Sequence, residues 1–190
     1  MKKILVIDNA DSFVYNLVEL LRQEENVEVN VVDSHCVTLE QALNVNSILL
    51  SPGAGVPLEY PQMKTIFEAV KHTHPILGVC LGHQAIATYF GAQLKQMAQP
   101  RHGHTSYLQK VDSKDKILQG IHNGNAVGRY HSWVVDPDTL PAQVRATSYD
   151  EEGNIMSIAH QDLPIYGLQF HPESIISDCG VLIIKNFLAL

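Results

Sequence analysis

Two short apolar runs, Ile4–Ile7 (ILVI) and Ile76–Val79 (ILGV), restrict the fold most, because each stops abruptly and gives way within a few residues to helical spacing. Four apolar residues are too few for a buried helix and enough for a strand covered on both faces. After the first run, Phe13, Leu17, Leu20 and Leu21 recur at helical spacing behind the candidate caps Asp11 and Ser12. The same alternation predicts strands over Val27–Val32 and Ser47–Leu50 and a short helix over Leu39–Leu43 behind Thr38. It also predicts a helix through Met63, Ile66, Phe67 and Val70, and one over His83–Phe90 that Gly91 can end. Repeated strand–helix units call for an α/β fold with an open, mostly parallel sheet flanked by helices. After Gly91 the pattern changes to short β-like runs with turn pairs Asn123-Gly124 and Glu152-Gly153, a strand over Ile165–Phe170 and one late helix from about Val181. Added antiparallel strands are therefore expected in the C-terminal half. SPGAGVPLEYP, residues 51–61, reads as a loop. Without repeats or linkers, residues 1–190 are expected to form one domain.

Composition removes several classes of function. Net charge is −7, and no basic cluster interleaves with aromatics, so no nucleic-acid partner is expected. Apolar runs are too short to span a membrane, and MKKILVID ends its apolar stretch too soon for a signal peptide. A cytoplasmic chain with no membrane partner follows. The three cysteines, Cys36, Cys80 and Cys179, have no paired metal spacing and suit a reducing compartment.

One of them stands apart. In PILGVCLGHQAIATYFGAQL, Cys80 follows the Ile76–Val79 strand, opens a helix, and has Gly78 and Gly82 two residues to either side. That is the spacing of a nucleophile elbow, whose tight turn leaves no room for side chains beside the nucleophile. The positive end of the helix favours a thiolate there. A cysteine nucleophile needs a base and a group to orient it. QFHPES offers both: His171 follows a strand, Pro172 stiffens the backbone, and Glu173 can accept from the second ring nitrogen. Cys36 and Cys179 lack such a setting and read as structural.

GVCLGHQ and HPES, preceded by DNADSFVYN and SPGAG, together resemble the triad-type (class I) glutamine amidotransferases over essentially the whole chain. Within that family the resemblance is to the small subunits shared by anthranilate synthase and aminodeoxychorismate synthase. It implies that Cys80 is the nucleophile, His171 the general base and acid, and Glu173 its orienting partner. It assigns Gly53, Ala54 and Gly55 to the glutamine and oxyanion loop, with Leu81 supplying a further backbone donor. Gln84 becomes a substrate contact, as do Ser132 and Trp133 of RYHSW. L-glutamine is the implied substrate, and no cofactor or metal is required. A large chorismate-binding synthase subunit is the implied partner, since one amidotransferase domain occupies these residues and leaves no acceptor site. DNADSFVYN, with Asp8, Asp11, Ser12 and Tyr15, then reads as part of the interface, and glutaminase activity is expected to be low until the partner binds. Two positions depart from the family pattern: Ala54 stands where proline is usual, and His104 where many members have lysine.

Other readings use some of the same residues. A γ-glutamyl hydrolase or cysteine peptidase can be built on the same triad, and a silent binding module on the same fold. His102 with His104, or His72 with His74, can share a face, yet no cysteine or carboxylate ligand has a matching spacing for zinc. SPGAG lacks the Gly-Lys-Ser/Thr of a phosphate-binding loop.

Overall fold

The computed structural model describes all residues 1–190. The alternation in the first half becomes β1 (Lys2–Asn9), α1 (Val14–Arg22), β2 (Val27–Asp33), α2 (Leu39–Leu43), β3 (Ser47–Gly53), α3 (Pro61–Val70), β4 (Ile76–Val79) and α4 (Leu81–Tyr89). The second half adds β5 (Leu94–Tyr107), β6 (Ala126–Val135), β7 (Val144–Tyr149), β8 (Ile155–His160), β9 (Ile165–Leu168) and α5 (Gly180–Leu188). Seven strands form one sheet in the order β2-β1-β3-β4-β9-β8-β7, parallel through β9 and antiparallel beyond it. β5 and β6 form a separate antiparallel pair.

The short apolar runs are continuous because the sheet is covered on both faces. Alternate side chains of a strand point to opposite sides, so Ile4 and Val6 of β1 join the core under α1 and α5, while Leu5 and Ile7 join that under α3 and α4. The chain leaves β1 toward β2 on one side and later fills β3 and β4 on the other. Such a reversal opens a crevice at the carboxyl ends of the strands. Asn9, Gly53 and Cys80 lie at the ends of β1, β3 and β4, and Gln169 and His171 just beyond β9.

Several boundaries differ from the expectation. The first three residues of SPGAG extend β3, and Pro57–Glu59 form a single 3-10 turn inside the expected loop. Neither Asp11 nor Ser12 caps α1: Phe13 holds the cap position, and the Asp11 carboxylate instead accepts from its N–H at 2.7 Å. Thr38 does cap α2, exchanging hydrogen bonds with Gln41. Of the short β-like runs expected after Gly91, those over residues 94–107 form a single long strand, β5, whose pairing with β6 slips between Gln96 and Arg101 and again between His102 and His104. Pro100, without an N–H, and Gly103, at φ +69°, fall inside the two slips.

Candidate active site

The site is built on one strained residue. Cys80 caps α4 with φ 52° and ψ −100°, a backbone region that L-residues occupy only when surroundings impose it. Those surroundings are identifiable. A Cβ on Gly78 would run into the Gly82 backbone and lie 2.7 Å from Ile86 Cδ1, and one on Gly82 would strike the Leu50 carbonyl oxygen. The Cys80 N–H donates to the Leu168 carbonyl at 2.7 Å, tying the turn to β9. Strand, elbow and helix can approach this closely only with glycine at both flanking positions.

β9 then delivers the imidazole. The His171 N–H donates to the Gly128 carbonyl of β6 at 2.9 Å, and Ser177 Oγ donates to the His171 carbonyl at 2.6 Å. Its ring packs edge-on against Tyr130 and Phe13 at centroid distances of 5.0 and 6.1 Å. His171 Nδ1 and Glu173 Oε1 are 2.7 Å apart, with both side chains buried. Burial by itself disfavours the imidazolium, but hydrogen bonds and charges from Cys80 and Glu173 outweigh it and hold the His171 pKa well above its ordinary value. With Nδ1 committed to Glu173, Nε2 is buried without another partner and is the nitrogen left for the thiol.

A cleft of about 210 Å³ opens beside the sulfur. It is lined by Gly53, Ala54, Gly55, Cys80, Leu81, Gln84, Ser132 and Trp133, so every residue expected around the substrate is brought together here. Its size is below the roughly 300–1,000 Å³ of sites for drug-sized ligands and suits something nearer an amino acid. Gly55 has φ +72°, and a Cβ there would collide with Glu59, whose carboxylate accepts the Val56 N–H at 3.2 Å. Tyr60 Oη donates to the Ala54 carbonyl at 2.9 Å, so the loop is braced although proline is missing at Ala54. His171 and Glu173 open instead onto a second hollow of about 200 Å³ shared with Phe13, Asn16 and Ile175, and Tyr130 lines both spaces.

Other side chains enter the site that sequence reasoning missed. His102, Tyr130 and His131 line the cleft. Gln169 is fully buried, with Nε2 3.8 Å from Cys80 Sγ and Oε1 3.1 Å from Gln84 Nε2. Strand periodicity in QFH, which puts Gln169 and His171 on one side, was the available signal. His104 is separated from His102 by the bulge and pairs with Arg129, and no three His, Cys, Asp or Glu side chains gather as a metal site. The Cys179 thiol is pushed up to about 12 by burial and then by Asp178, which leaves it inert, whereas Cys36 is exposed.

An open, mostly parallel sheet with a strained cysteine at its carboxyl edge and a buried His–Glu pair beside it defines an α/β enzyme centred on a thiol. The chain belongs to the class-I glutamine amidotransferase family, which it matches over residues 5–190. Aminodeoxychorismate/anthranilate synthase component 2 of Bacillus subtilis is 42% identical over 97% of this chain and 95% of its own length. Aminodeoxychorismate synthase component 2 of Escherichia coli is 40% identical over 97% of this chain and 98% of its own. A solved structure from Thermoplasma acidophilum, assigned to GMP synthase, superposes with a TM-score of 0.88 and 26% identity over 100% of this chain and 93% of that one.

Proposed function

We propose that this chain hydrolyses L-glutamine and passes ammonia to a chorismate-using synthase subunit, for anthranilate or aminodeoxychorismate formation. The observation that carries the reading is Cys80 in its strained elbow, beside an imidazole held by Glu173 and a cleft containing every residue of the expected glutamine site. Family membership and relatives that are component 2 subunits of the two synthases support it.

In this mechanism Cys80 Sγ attacks the side-chain amide carbon of glutamine. The oxyanion is met by the N–H of Leu81, the first of α4 and thus without an intrahelical acceptor, and by N–H groups of the Gly53–Gly55 loop. Each donor contributes roughly 3 kcal/mol. His171 gives its proton to the departing ammonia, leaving a γ-glutamyl thioester. It then takes one from water, and attack by that water releases glutamate and restores the thiol–imidazole pair. Glu173 keeps the ring in the tautomer that both steps need. Ammonia leaves by the hollow on the far side of His171, where Phe13 and the fully exposed Ile175 offer apolar surface to the synthase chain.

The test pairs the chain with a cognate large subunit. Cys80→Ser is expected to abolish glutamine-dependent synthesis while ammonium-dependent synthesis persists. Glutamate release by the isolated wild-type chain is expected to be low and to rise at least about tenfold with partner and chorismate. Glutamine turnover near wild type in Cys80→Ser would remove the nucleophile, and full activity untouched by the partner would point to a free-standing γ-glutamyl hydrolase.

A further inference from the structure

A directed set of hydrogen bonds runs from the interior of the β5–β6 pair to the reactive sulfur. It begins at Arg129, which is fully buried and ion-paired with buried Asp150 at 2.5 Å. A guanidinium can only donate. Its Nε–H lies 3.1 Å from His131 Nε2, so Nε2 must accept and Nδ1 must carry the proton. That Nδ1 is 3.0 Å from the Trp133 carbonyl, which also accepts from Gln84 Nε2 at 2.8 Å. A carbonyl only accepts, so the Gln84 amide is fixed with its NH2 toward Trp133, and the same NH2 reaches Gln169 Oε1 at 3.1 Å. Gln169 therefore presents its own NH2 to Cys80 Sγ, at 3.8 Å. Neither amide can flip without setting two donors or two acceptors face to face.

We infer that Gln169 is a further catalytic residue, an amide donor to the Cys80 sulfur whose direction is imposed through Gln84 by the acceptor-only Trp133 carbonyl. The inference rests on Cys80 being the nucleophile. A donor at sulfur stabilises the thiolate. It therefore raises the share of sulfur present as the attacking thiolate when the C–S bond forms, and stabilises the sulfur again as leaving group when water displaces it from the thioester. Gln84 belongs to both the glutamine cleft and this relay, so the residue expected to contact substrate also aims the donor at the nucleophile.

Other titratable groups face the same region: His171 and Glu173 after β9, His102 and His131 from the β5–β6 pair, and His83 within α4. The test must separate Gln169 from them, and it does so by charge. Alkylation of Cys80 by iodoacetamide is followed across pH by mass spectrometry of the Cys80 peptide, with exposed Cys36 as an internal reference. Gln169→Met keeps length and removes the donor; Gln169→Glu keeps shape and puts a negative, acceptor-only carboxylate in place of the neutral donor. On the acid side of the profile, alkylation is expected to slow about tenfold in Gln169→Met and further in Gln169→Glu. The midpoint moves to higher pH, the alkaline plateau is kept, and Cys36 is unchanged. A packing role would lower the plateau or the melting temperature without that ordered shift.

A wild-type profile in folded Gln169→Met overturns the inference. If Gln169→Met yields no folded protein, Gln84→Met decides, since it removes the group that aims Gln169: slower acid-side alkylation supports the relay, and a wild-type profile overturns it. Failure of the wider reading looks different. There Cys80→Ser would still hydrolyse glutamine, whatever the alkylation profiles show.

Discussion

At His171 two opposing effects meet: burial disfavours the imidazolium, and Cys80 and Glu173 hold the proton on. In the proposed reaction Glu173 orients the ring and does not itself meet the substrate, so losing it should harm catalysis less than losing the ring. Positioned general acid–base groups contribute about 10²–10⁴-fold, so His171→Ala is expected to cost roughly 10³-fold or more in kcat and Glu173→Ala about tenfold less. Steady-state glutamate release with the partner present reads both, and equal or reversed losses would mean that Glu173 has another role. The grouping of Cys80, His171 and Glu173 could be read from the sequence because each sits in a short local pattern: a cysteine between spaced glycines, and His-Pro-Glu after a strand. For Gln169 the sequence offered only a strand side shared with His171, since nothing in QFH names a sulfur 89 residues earlier. Arg129 was hidden for the same reason: its charge is tolerated inside the protein only because Asp150, 21 residues on, pairs with it across the folded hairpin region.

The elements legible from sequence were those whose burial repeats locally. β1, β3 and β4 are covered on both faces and announce themselves as unbroken apolar runs. β5 is not, because most of its residues face solvent or the cleft, and a proline and a glycine interrupt its ladder. Its sequence therefore reads as separate pieces where the structure has one bulged strand. The elbow shows how strictly an element junction can fix a residue. An alanine methyl at Gly82 would overlap the Leu50 carbonyl oxygen and approach Leu50 Cβ at 2.8 Å, so β3 and α4 would have to separate. Overpacking of this kind costs about 1–3 kcal/mol or more, and the displaced elbow should lose activity well beyond what the stability loss explains. Gly124→Ala is the comparison: its φ is +91°, but a methyl there meets nothing within 4 Å, so about 1 kcal/mol of backbone strain is the whole expected effect. Denaturant melts and glutaminase assays on both variants test this. A Gly82→Ala enzyme as stable and active as Gly124→Ala would show that the junction is looser than its geometry.

For the whole molecule, the buried groups that build the site also set how stability responds to pH. His83 is fully buried against Gly167, and burial pushes its pKa down to about 3; His131 is pushed down to about 3 by burial and then by Arg129. In the unfolded chain both titrate near 6.5. Above that value neither state holds the protons and neither histidine affects stability. As pH falls from 6.5 toward 3, the unfolded chain takes up two protons that the folded chain refuses, so stability falls. Asp115 works the other way: burial raises its carboxyl from 3.8 to about 6, so between those values the folded state binds the extra proton and gains stability. Each group changes stability by about 1.4 kcal/mol per pH unit inside its window. Two losses against one gain leave a net fall of roughly 1.4 kcal/mol per unit from pH 6 to 4. His171, with its raised pKa, adds stability that is complete below 6.5 and is lost as pH rises through its folded value, so the optimum should lie near pH 6–7. Urea unfolding at pH 4, 5, 6, 7 and 8 is expected to give midpoints that peak there and drop on the acid side. His83→Gln should flatten the acid limb, because it removes one of the two refused protons. A flat wild-type profile, or an acid limb unchanged by that substitution, would mean that His83 is protonated inside the fold and that the helix carrying Cys80 is less tightly sealed against β9.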